Sequence, residues 1–327
     1  MKAASFQAFG PASEVLTIGE WEKPEPGPGE VLVRIKASGV NPSDVKKRAG
    51  SAPGLLENGP IIPHSDGAGI IEAVGQGVSV ARVGERVWTY NAQYGRSHGT
   101  ASEYVCIPGS TAVWMPDNID FETGACLGIP AMTAHRCVFA DGSVKGKTVL
   151  VTGGAGRVGN YAIQLAKADG AIVIATAGSE TSSKACFDAG ADQVISHPFA
   201  GTPEEIMLVN EGEKVDRVVE GEFGTNLPFI LDSIKMGGTI ATYASMEDKN
   251  PSIPFYQIMY NDITVRFVIV YAMPDHAKEE AADDITTLLN ADRLIHRVAD
   301  TYPLDEIAAA HEKIESGLVR GCVVVTC

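Results

Sequence analysis

A glycine pattern near the middle of the chain constrains the fold more than any other feature of this sequence. The stretch from Lys147 to Lys167 reads KTVLVTGGAGRVGNYAIQLAK: an apolar strand pattern, then glycines, then a helix-forming run. Gly154, Gly156 and Gly159 form a G-x-G-x-x-G motif at this junction. In such a motif the first glycine permits a tight turn, the second lets the backbone approach a pyrophosphate, and the third lets the helix pack close to the sheet. The motif therefore predicts a dinucleotide at the amino terminus of a helix.

The end of the next strand bears on which dinucleotide binds. An acidic residue about 20 residues after the motif would hold the ribose 2′-hydroxyl of NAD. That position falls near Ala177 and Gly178, and neither is acidic. Small hydroxyl residues and Lys184 follow and suit a 2′-phosphate, whereas Glu180 argues against one unless it points to solvent. We expect NADPH, with the alternative left open that Lys184 is a solvated helix lysine.

Strand and turn patterns divide the chain into regions of different character. The first ~115 residues combine alternating stretches such as EVLVRIKASG with turns rich in Gly and Pro, which predicts a barrel-like or sandwich fold. From about Asp120 the composition becomes helical, and strand and helix patterns then alternate as in a parallel sheet covered on both faces. The last pattern, GCVVVTC, is a strand that most simply returns to the first domain.

Composition and charge limit the classes of partner. The formal net charge of −15 argues against nucleic acid or an anionic membrane as the main partner. No apolar run approaches the ~18 residues of a membrane span, and no signal peptide is evident at the amino terminus. The six cysteines are scattered without a C-x-x-C pair, which is typical of reduced thiols in a cytoplasmic protein.

Five separated motifs resemble those of the zeta-crystallin-like NADPH:quinone reductases, members of the medium-chain dehydrogenase/reductase superfamily. They read, in order, ASGVNPSDVKKRAG, IPHSDGAGIIEAVG, LGIPAMTAHRCV, VTGGAGRVGNYAIQLAK and TAGSETSSK. The resemblance covers essentially the whole chain and implies an α/β fold, with a GroES-like β-rich domain plus a Rossmann doubly wound parallel-sheet domain. It implies a GroES-like catalytic domain over residues 1–121, a Rossmann NADP-binding domain over 122–267, and a return to the catalytic domain over 268–327.

The resemblance also implies site residues. Asn41 and Thr133 would lie beside the nicotinamide and the substrate, in the cleft that also holds Lys46. The other expected contacts to NADPH are Gly154, Ala155, Gly156, Arg157, Val158 and Gly159 at the diphosphate, Gly178, Ser179, Lys184 and His197 at the adenosine phosphate, and Asn226, Tyr243, Ala244, Ser245, Phe267, Val268 and Ile269 along the rest of the cofactor. Three residues depart from the family pattern and bear on substrate preference: Arg157 replaces a glycine, Lys46 a tyrosine and Cys322 a lysine.

Zinc alcohol dehydrogenases have the same fold, so their ligand positions can be checked one at a time. Catalytic zinc takes three Cys or His ligands and keeps an open fourth position. In the matching motifs those positions hold Asn41, Ser65 and Ile129, and His64 stands one residue out of register. The four closely spaced cysteines of a structural zinc lobe are also missing, since residues 87–105 contain none. The sequence predicts no metal.

The function expected from these observations is hydride transfer from NADPH to an electrophilic acceptor such as a quinone. Asn41 could hydrogen-bond the acceptor oxygen or a ribose hydroxyl, or it could be a buried structural amide. Two alternatives remain: reduction of conjugated enones, enals or enoyl thioesters, and a non-catalytic role as an NADPH-binding protein. RNA binding, associated with relatives, is disfavoured by the negative charge. The apolar stretch DITVRFVIVYA, placed at a sheet edge, would present unpaired backbone groups. The family pairs this edge with its copy across a two-fold axis, so the resemblance implies at least a homodimer.

Overall fold

The computed structural model describes residues 1–196 and 203–327. These residues form two compact units, one of Met1–Ile129 with Ala282–Cys327 and the other of Pro130–Ala281. With strands and helices numbered along the chain, the two divisions fall inside helices α4 (Gly128–Phe139) and α10 (Asp275–Asn290). The predicted domain boundaries, after residues 121 and 267, stay predictions and lie eight and 14 residues before these divisions (129 − 121 and 281 − 267).

The first unit is built mainly from β-strands. Its strands are β1 Lys2–Ser5, β2 Thr17–Glu20, β3 Glu30–Val40, β4 Asp66–Val74, β5 Arg86–Thr89, β6 Tyr104–Pro108, β7 Ala112–Trp114, β14 Val298–Pro303 and β15 Cys322–Thr326. Its helices are α1 Ala12–Val15, α2 Pro42–Arg48, α3 Phe121–Gly124 and α11 Ile307–Glu315. One seven-stranded sheet follows the order β14-β15-β3-β4-β5-β7, with β6 also paired to β3, while β1 and β2 form a separate pair.

The long strand β3 organises this sheet. Val31, Val33 and Ile35 alternate along β3 and point into a core cluster of apolar side chains, while Arg34 between them is exposed. The last strand of the chain, β15, runs antiparallel to β3 with Val323 opposite Val40. The prediction that the final strand returns to the first domain is therefore confirmed.

The second unit is an open parallel sheet with helices. Its strands are β8 Thr148–Val151, β9 Ile172–Ala177, β10 Gln193–Ser196, β11 Val215–Glu220, β12 Ile234–Thr242 and β13 Thr264–Phe267. Its helices are α5 Arg157–Asp169, α6 Glu180–Asp188, α7 Pro203–Val209, α8 Phe223–Ser233 and α9 Phe255–Tyr260. All five strand pairs are parallel. The order β10-β9-β8-β11-β12-β13 is the doubly wound order 3-2-1-4-5-6 of dinucleotide-binding domains, as predicted.

The order of the strands reverses between β8 and β11, and ligands of such sheets bind beyond the carboxyl ends of the strands at this point. All four residues of β8 are buried, because a central parallel strand is covered on both faces. The helix expected from about Gly156 to Ala168 runs from Arg157 to Asp169. The glycine motif therefore lies where the topology places a ligand.

The stretch DITVRFVIVYA forms an edge strand over only part of its length. Strand β13 covers Thr264–Phe267 and is the outermost strand beside β12, as expected. The following residues leave the sheet, and Val270–Ala272 form a short 3₁₀ turn. Within the described residues, no helix is both long enough and apolar enough to span a membrane.

Candidate functional site

The glycine turn after β8 has no room for a side chain at Gly154 or Gly159. A Cβ atom on Gly159 would lie 2.6 Å from the carbonyl oxygen of Gly153, so α5 can approach the turn closely, as the motif predicts. The tight turn itself is made elsewhere than expected. Gly153 has the left-handed φ of 58°, whereas Gly154 is confined by its neighbours, because a Cβ atom there would lie 2.9 Å from three side-chain atoms. The first turn of α5 presents backbone N–H groups that have no acceptor inside the helix.

The end of β9 lies against this turn. Gly153 and Gly154 donate their backbone N–H groups to the side-chain and backbone oxygens of Thr176, at 2.9 and 3.0 Å. Ser179 then caps α6 through its hydroxyl, which accepts from the Ser182 N–H group at 3.2 Å. The predicted residues at the diphosphate and at Gly178–Ser179 are thus brought together, and no acidic side chain occupies Ala177 or Gly178.

Lys184 lies on α6, and 75% of its side chain is exposed. Its ammonium group forms a salt bridge with Asp188 one turn later, at 2.7 Å from both carboxylate oxygens. This is the arrangement of a solvated helix lysine, and a phosphate would have to compete with Asp188. His197, predicted near the same phosphate, lies outside the described residues.

The carboxyl ends of β11 and β12 place the remaining predicted residues together. Asn226 donates through its side-chain amide to Glu220 at 3.0 Å. Gly221 is held against Tyr243, whose hydroxyl would be 2.7 Å from a Cβ atom at that glycine. Ser245 accepts from the backbone N–H of Gly224 at 3.0 Å, at the start of α8.

Four further predicted residues continue along this edge of the sheet. Ala244 accepts the backbone N–H of Phe223 at 3.0 Å, and Val268 donates its own to Thr242 at 2.8 Å. Phe267 packs edge-on against Phe223, with ring centroids 5.6 Å apart, although 68% of Phe267 is exposed. Ile269 is also exposed.

Glu220 at the end of β11 is a residue that the sequence analysis missed. Its carboxylate is fully buried, and burial raises its pKa while hydrogen bonds from Glu222 and Asn226 oppose that change. An acidic residue that follows two valines at the carboxyl end of the strand VDRVVE is the available signal. Glu220 orients the amide of Asn226 at the carboxyl edge of the sheet.

In the first unit, Asn41 follows β3 directly and is the N-cap residue of α2. It is 3% exposed, and its side-chain nitrogen donates to Oδ2 of Asp66 at 2.7 Å. Its backbone N–H donates to the Asp44 carboxylate at 2.9 Å, which anchors the start of α2. Lys46 follows on the same helix. Thr133, buried on α4, belongs to the second unit.

Asp66 is the second residue that sequence analysis missed, although it stands in the motif IPHSDGAG. It is fully buried, and its Oδ2 also accepts the backbone N–H of Ile129 at 2.8 Å. Burial raises the pKa of Asp66 well above the usual range, and the hydrogen bonds from Ile129 and Asn41 offset this only in part. The single carboxyl group of Asp66 thus bonds residues at two of the three zinc-ligand positions.

His64, beside the second ligand position at Ser65, has no nitrogen left for a metal. Its Nδ1 hydrogen-bonds the hydroxyl of Ser38 at 2.8 Å, and its Nε2 hydrogen-bonds Nε2 of His311 at 2.8 Å. Burial lowers the pKa values of both histidines, His311 to about 3. The φ of 76° at His64 is rarely adopted by a non-glycine residue, and it is maintained here by the surrounding bonds.

The donor set does not fit a catalytic zinc ion. Ile129 offers no ligating side-chain atom, the Asn41 amide nitrogen is committed to Asp66, and both His64 nitrogens are engaged. Across the described residues, moreover, no group of three or more His, Cys, Asp or Glu side chains could hold a metal ion.

Comparisons with known proteins identify the class. Residues 27–117 match the family model described as alcohol dehydrogenase GroES-like domain, and residues 158–287 match the one described as zinc-binding dehydrogenase. The β-rich unit, the doubly wound unit and the glycine turn place the chain among the medium-chain dehydrogenases/reductases.

Individual relatives show to which family within this class the chain belongs. The chain is 31% identical to human quinone oxidoreductase over 97% of its own length and 94% of the relative's. A solved structure of Escherichia coli quinone oxidoreductase complexed with NADPH superposes with a TM-score of 0.86, 25% identity and full coverage of both chains. An alcohol dehydrogenase of Geobacillus stearothermophilus is 29% identical over 99% of this chain and 98% of its own. The chain belongs to the quinone oxidoreductase family.

Proposed function

We propose that this protein transfers hydride from NADPH to a quinone. The observation that carries the proposal is the set Asn41, Ser65 and Ile129 at the ligand positions of the zinc enzymes. Without ligating side chains there, no metal would act as a Lewis acid to lower the pKa of an alcohol. An acceptor that is already electrophilic fits these residues better, and the quinone oxidoreductase relatives support a quinone.

The residues of the second unit fit NADPH. The turn from Gly153 to Gly159 leads into the amino terminus of α5, where backbone N–H groups would meet a diphosphate. The expected binding set is Gly154, Ala155, Gly156, Arg157, Val158, Gly159, Gly178, Ser179, Lys184, His197, Asn226, Tyr243, Ala244, Ser245, Phe267, Val268 and Ile269, with Lys46 from the first unit. When bound, NADPH supplies the hydride, and the protein supplies position and electrostatics.

We assign Asn41 and Thr133 to the reacting end. An Asn41 amide hydrogen can stabilise the charge that develops on an acceptor oxygen as it is reduced. With no dedicated acid proposed, the proton would come from water or through a relay of a ribose hydroxyl. The rate then depends mainly on holding donor and acceptor in the reactive orientation while water is excluded.

We further propose a homodimer formed through the edge strand β13. The unpaired backbone groups of an edge strand are normally covered or paired. Phe267 and Ile269 beside this edge are exposed, as are Tyr256 and Tyr260 on α9, and together they offer an apolar surface to a second copy. Light scattering at micromolar concentration should give twice the chain mass or more, and a monomer would contradict the proposal. The cysteine thiols support a cytoplasmic location.

The experiment that tests the function is turnover of a panel of quinones and conjugated enones with NADPH, followed at the nicotinamide absorbance. We expect an ortho-quinone to be reduced faster than any enone. Asn41→Ala should lower kcat and leave the Kd for NADPH nearly unchanged, because its amide acts at the reacting end. Tight NADPH binding without turnover of any acceptor would instead favour a non-catalytic NADPH-binding protein.

A further inference from the structure

The carboxyl group of Asp66 lies at the meeting point of three chain segments. Asn41 comes from the end of β3, Asp66 from the start of β4, and Ile129 from the first turn of α4. Antiparallel pairing puts Gly39 directly opposite Asp66, so Asn41, two residues further on, comes within reach of its carboxylate. The hydrogen bonds from Asn41 and Ile129 to Oδ2 are 2.7 and 2.8 Å long.

The residues around Asp66 restrict its side chain to one position. A Cβ atom on Gly128 would lie 2.2 Å from Oδ1, so only glycine fits beside the carboxyl group. The Thr100 hydroxyl donates to the backbone oxygen of Asp66 at 2.6 Å and ties down the strand as well. Oδ1 is buried without a hydrogen-bond partner among the described residues, which is destabilising, so the presence of this carboxyl group calls for a role in the site.

An asparagine amide can adopt two orientations that exchange its nitrogen and oxygen. An acceptor at Oδ2 favours the orientation with the nitrogen towards Asp66, because the exchanged orientation would place two oxygens against each other. One hydrogen of the Asn41 amide is then used by Asp66, and the second has a fixed direction. A donor whose direction is fixed before the acceptor binds is more effective than one that must reorient.

We infer that Asp66 is a positioning residue for hydride transfer, which fixes the amide of Asn41 so that its second hydrogen meets the acceptor oxygen. This inference rests on the proposed function, because Asn41 must act at the reacting end. Asp66 itself touches neither acceptor nor cofactor in this role. In effect, a carboxyl group organises the residues that stand at the ligand positions of the zinc enzymes.

The test compares Asp66→Ala with Asp44→Ala, a matched control. Asp44 is also a buried carboxylate bonded to Asn41, but it accepts the backbone N–H and not the amide of the side chain. Asp66→Ala should lower kcat for a quinone by up to about 100-fold, the scale of misplacing a reacting group by about 1 Å. Its Kd for NADPH should stay unchanged. Asp44→Ala should lower thermal stability. Its effect on kcat should be much smaller than that of Asp66→Ala.

A double-mutant cycle shows whether Asp66 acts through Asn41. In an Asn41→Ala background, Asp66→Ala should lower kcat little further, because the amide that it positions is already gone. Full additivity, or a normal kcat in the single variant, would overturn the inference. If Asp66→Ala does not fold, Asp66→Asn keeps an acceptor oxygen and should retain most of the wild-type kcat. A folded Asp66→Asn as slow as Asn41→Ala would equally overturn it.

A readout without turnover separates this inference from the proposed function. With selective ¹⁵N-asparagine labelling, the side-chain amide signal of Asn41 is identified by its loss in Asn41→Ala. That signal should move in Asp66→Ala and stay in place in Asp44→Ala. An inactive wild-type protein whose Asn41 signal responds in this way would refute quinone reduction but keep the Asp66–Asn41 bond. An unmoved signal in Asp66→Ala would refute the positioning role whatever the activity.

Discussion

The candidate sites of the two units consist of different kinds of groups. In the second unit the site is mostly backbone: a contiguous turn of glycines, the amino terminus of α5 and the carboxyl ends of parallel strands. In the first unit the site is made of side chains, Asn41 and Asp66, whose positions in the sequence are 25 residues apart. Backbone recognition suits a diphosphate that many proteins share, whereas side chains can set which acceptor is reduced. Substrate preference should therefore change with the first unit and cofactor binding with the second.

The largest expected effect tests the backbone site. In Gly159→Ala the new Cβ would meet the Gly153 carbonyl oxygen at 2.6 Å, so α5 must shift away from the turn. We expect the free energy of unfolding to fall by about 1–3 kcal/mol. A comparable loss of binding free energy would raise the Kd for NADPH about tenfold or more. Urea unfolding and fluorescence titration measure the two quantities.

Gly19→Ala on β2 is the control for this variant. The nearest atom to its new methyl group is 4.0 Å away, so neither quantity should change appreciably. Similar NADPH affinities in the two variants would mean that the close approach at Gly159 has no role in binding.

The next effect concerns the buried polar network of the first unit. Burial lowers the pKa of His311 to about 3, below the ~6.5 of an unfolded chain. As the pH falls below about 6.5, the histidine binds a proton in the unfolded state but not in the folded state. Stability is therefore lost on acidification towards pH 3. Between pH 7.5 and pH 5, His311 should account for about 2 kcal/mol of lost unfolding free energy.

Comparison of variants isolates this contribution. His64 changes stability in the same direction, whereas Asp66 and Glu220, whose pKa values are raised, change it in the opposite direction. His311→Gln should therefore lose less stability than the wild type on acidification, while His276→Gln, at an exposed site, should follow the wild type. Identical pH profiles for all three proteins in urea unfolding would contradict the assignment.

A smaller effect is expected at the 2′-phosphate. Lys184→Ala should raise the Kd for NADPH and leave that for NADH nearly unchanged, because only NADPH carries the phosphate. A charge-assisted contact can contribute about 1.5–3 kcal/mol, but for an exposed lysine paired with Asp188 about 1 kcal/mol is expected. Asp188→Ala releases the lysine and should tighten NADPH binding. Titration with each cofactor measures the two Kd values, and equal changes in Kd for NADPH and NADH would refute the role of Lys184.

No effect is expected from chelation. The donor set around Asn41, Ser65 and Ile129 offers no zinc site, so dialysis against a strong chelator should leave quinone turnover intact. Elemental analysis of the purified protein should find no stoichiometric zinc. Activity that is lost on dialysis and restored by added zinc would contradict this expectation and weaken the contrast between the two units.

The difference between the units also explains what could be predicted from sequence. The glycine turn, the helix after it and the parallel strands all lie within short windows, so local patterns were sufficient. The motif predicts the tight turn at its first glycine, Gly154, but the preceding residue, Gly153, has the positive φ. A motif gives the spacing of small residues and not the dihedral angle of each.

The polar network of the first unit could not be predicted in this way. Asp66 meets Asn41 only because β3 and β4 pair in one register, with Gly39 opposite Asp66. His64 meets His311 across 247 positions of sequence. Such contacts depend on tertiary structure, and a single sequence shows only that a charged residue stands in an apolar strand.

The place of β15 in the first sheet has a consequence for the order of events during synthesis. β15 is an interior strand between β14 and β3, although it is made last. All of Pro130–Ala281 is synthesised before Ala282–Cys327, so the second unit can begin to fold while the first still lacks a strand. Until then one side of β3 stays open, with Val40 uncovered. We therefore expect chaperones to engage the nascent chain chiefly through its amino-terminal region.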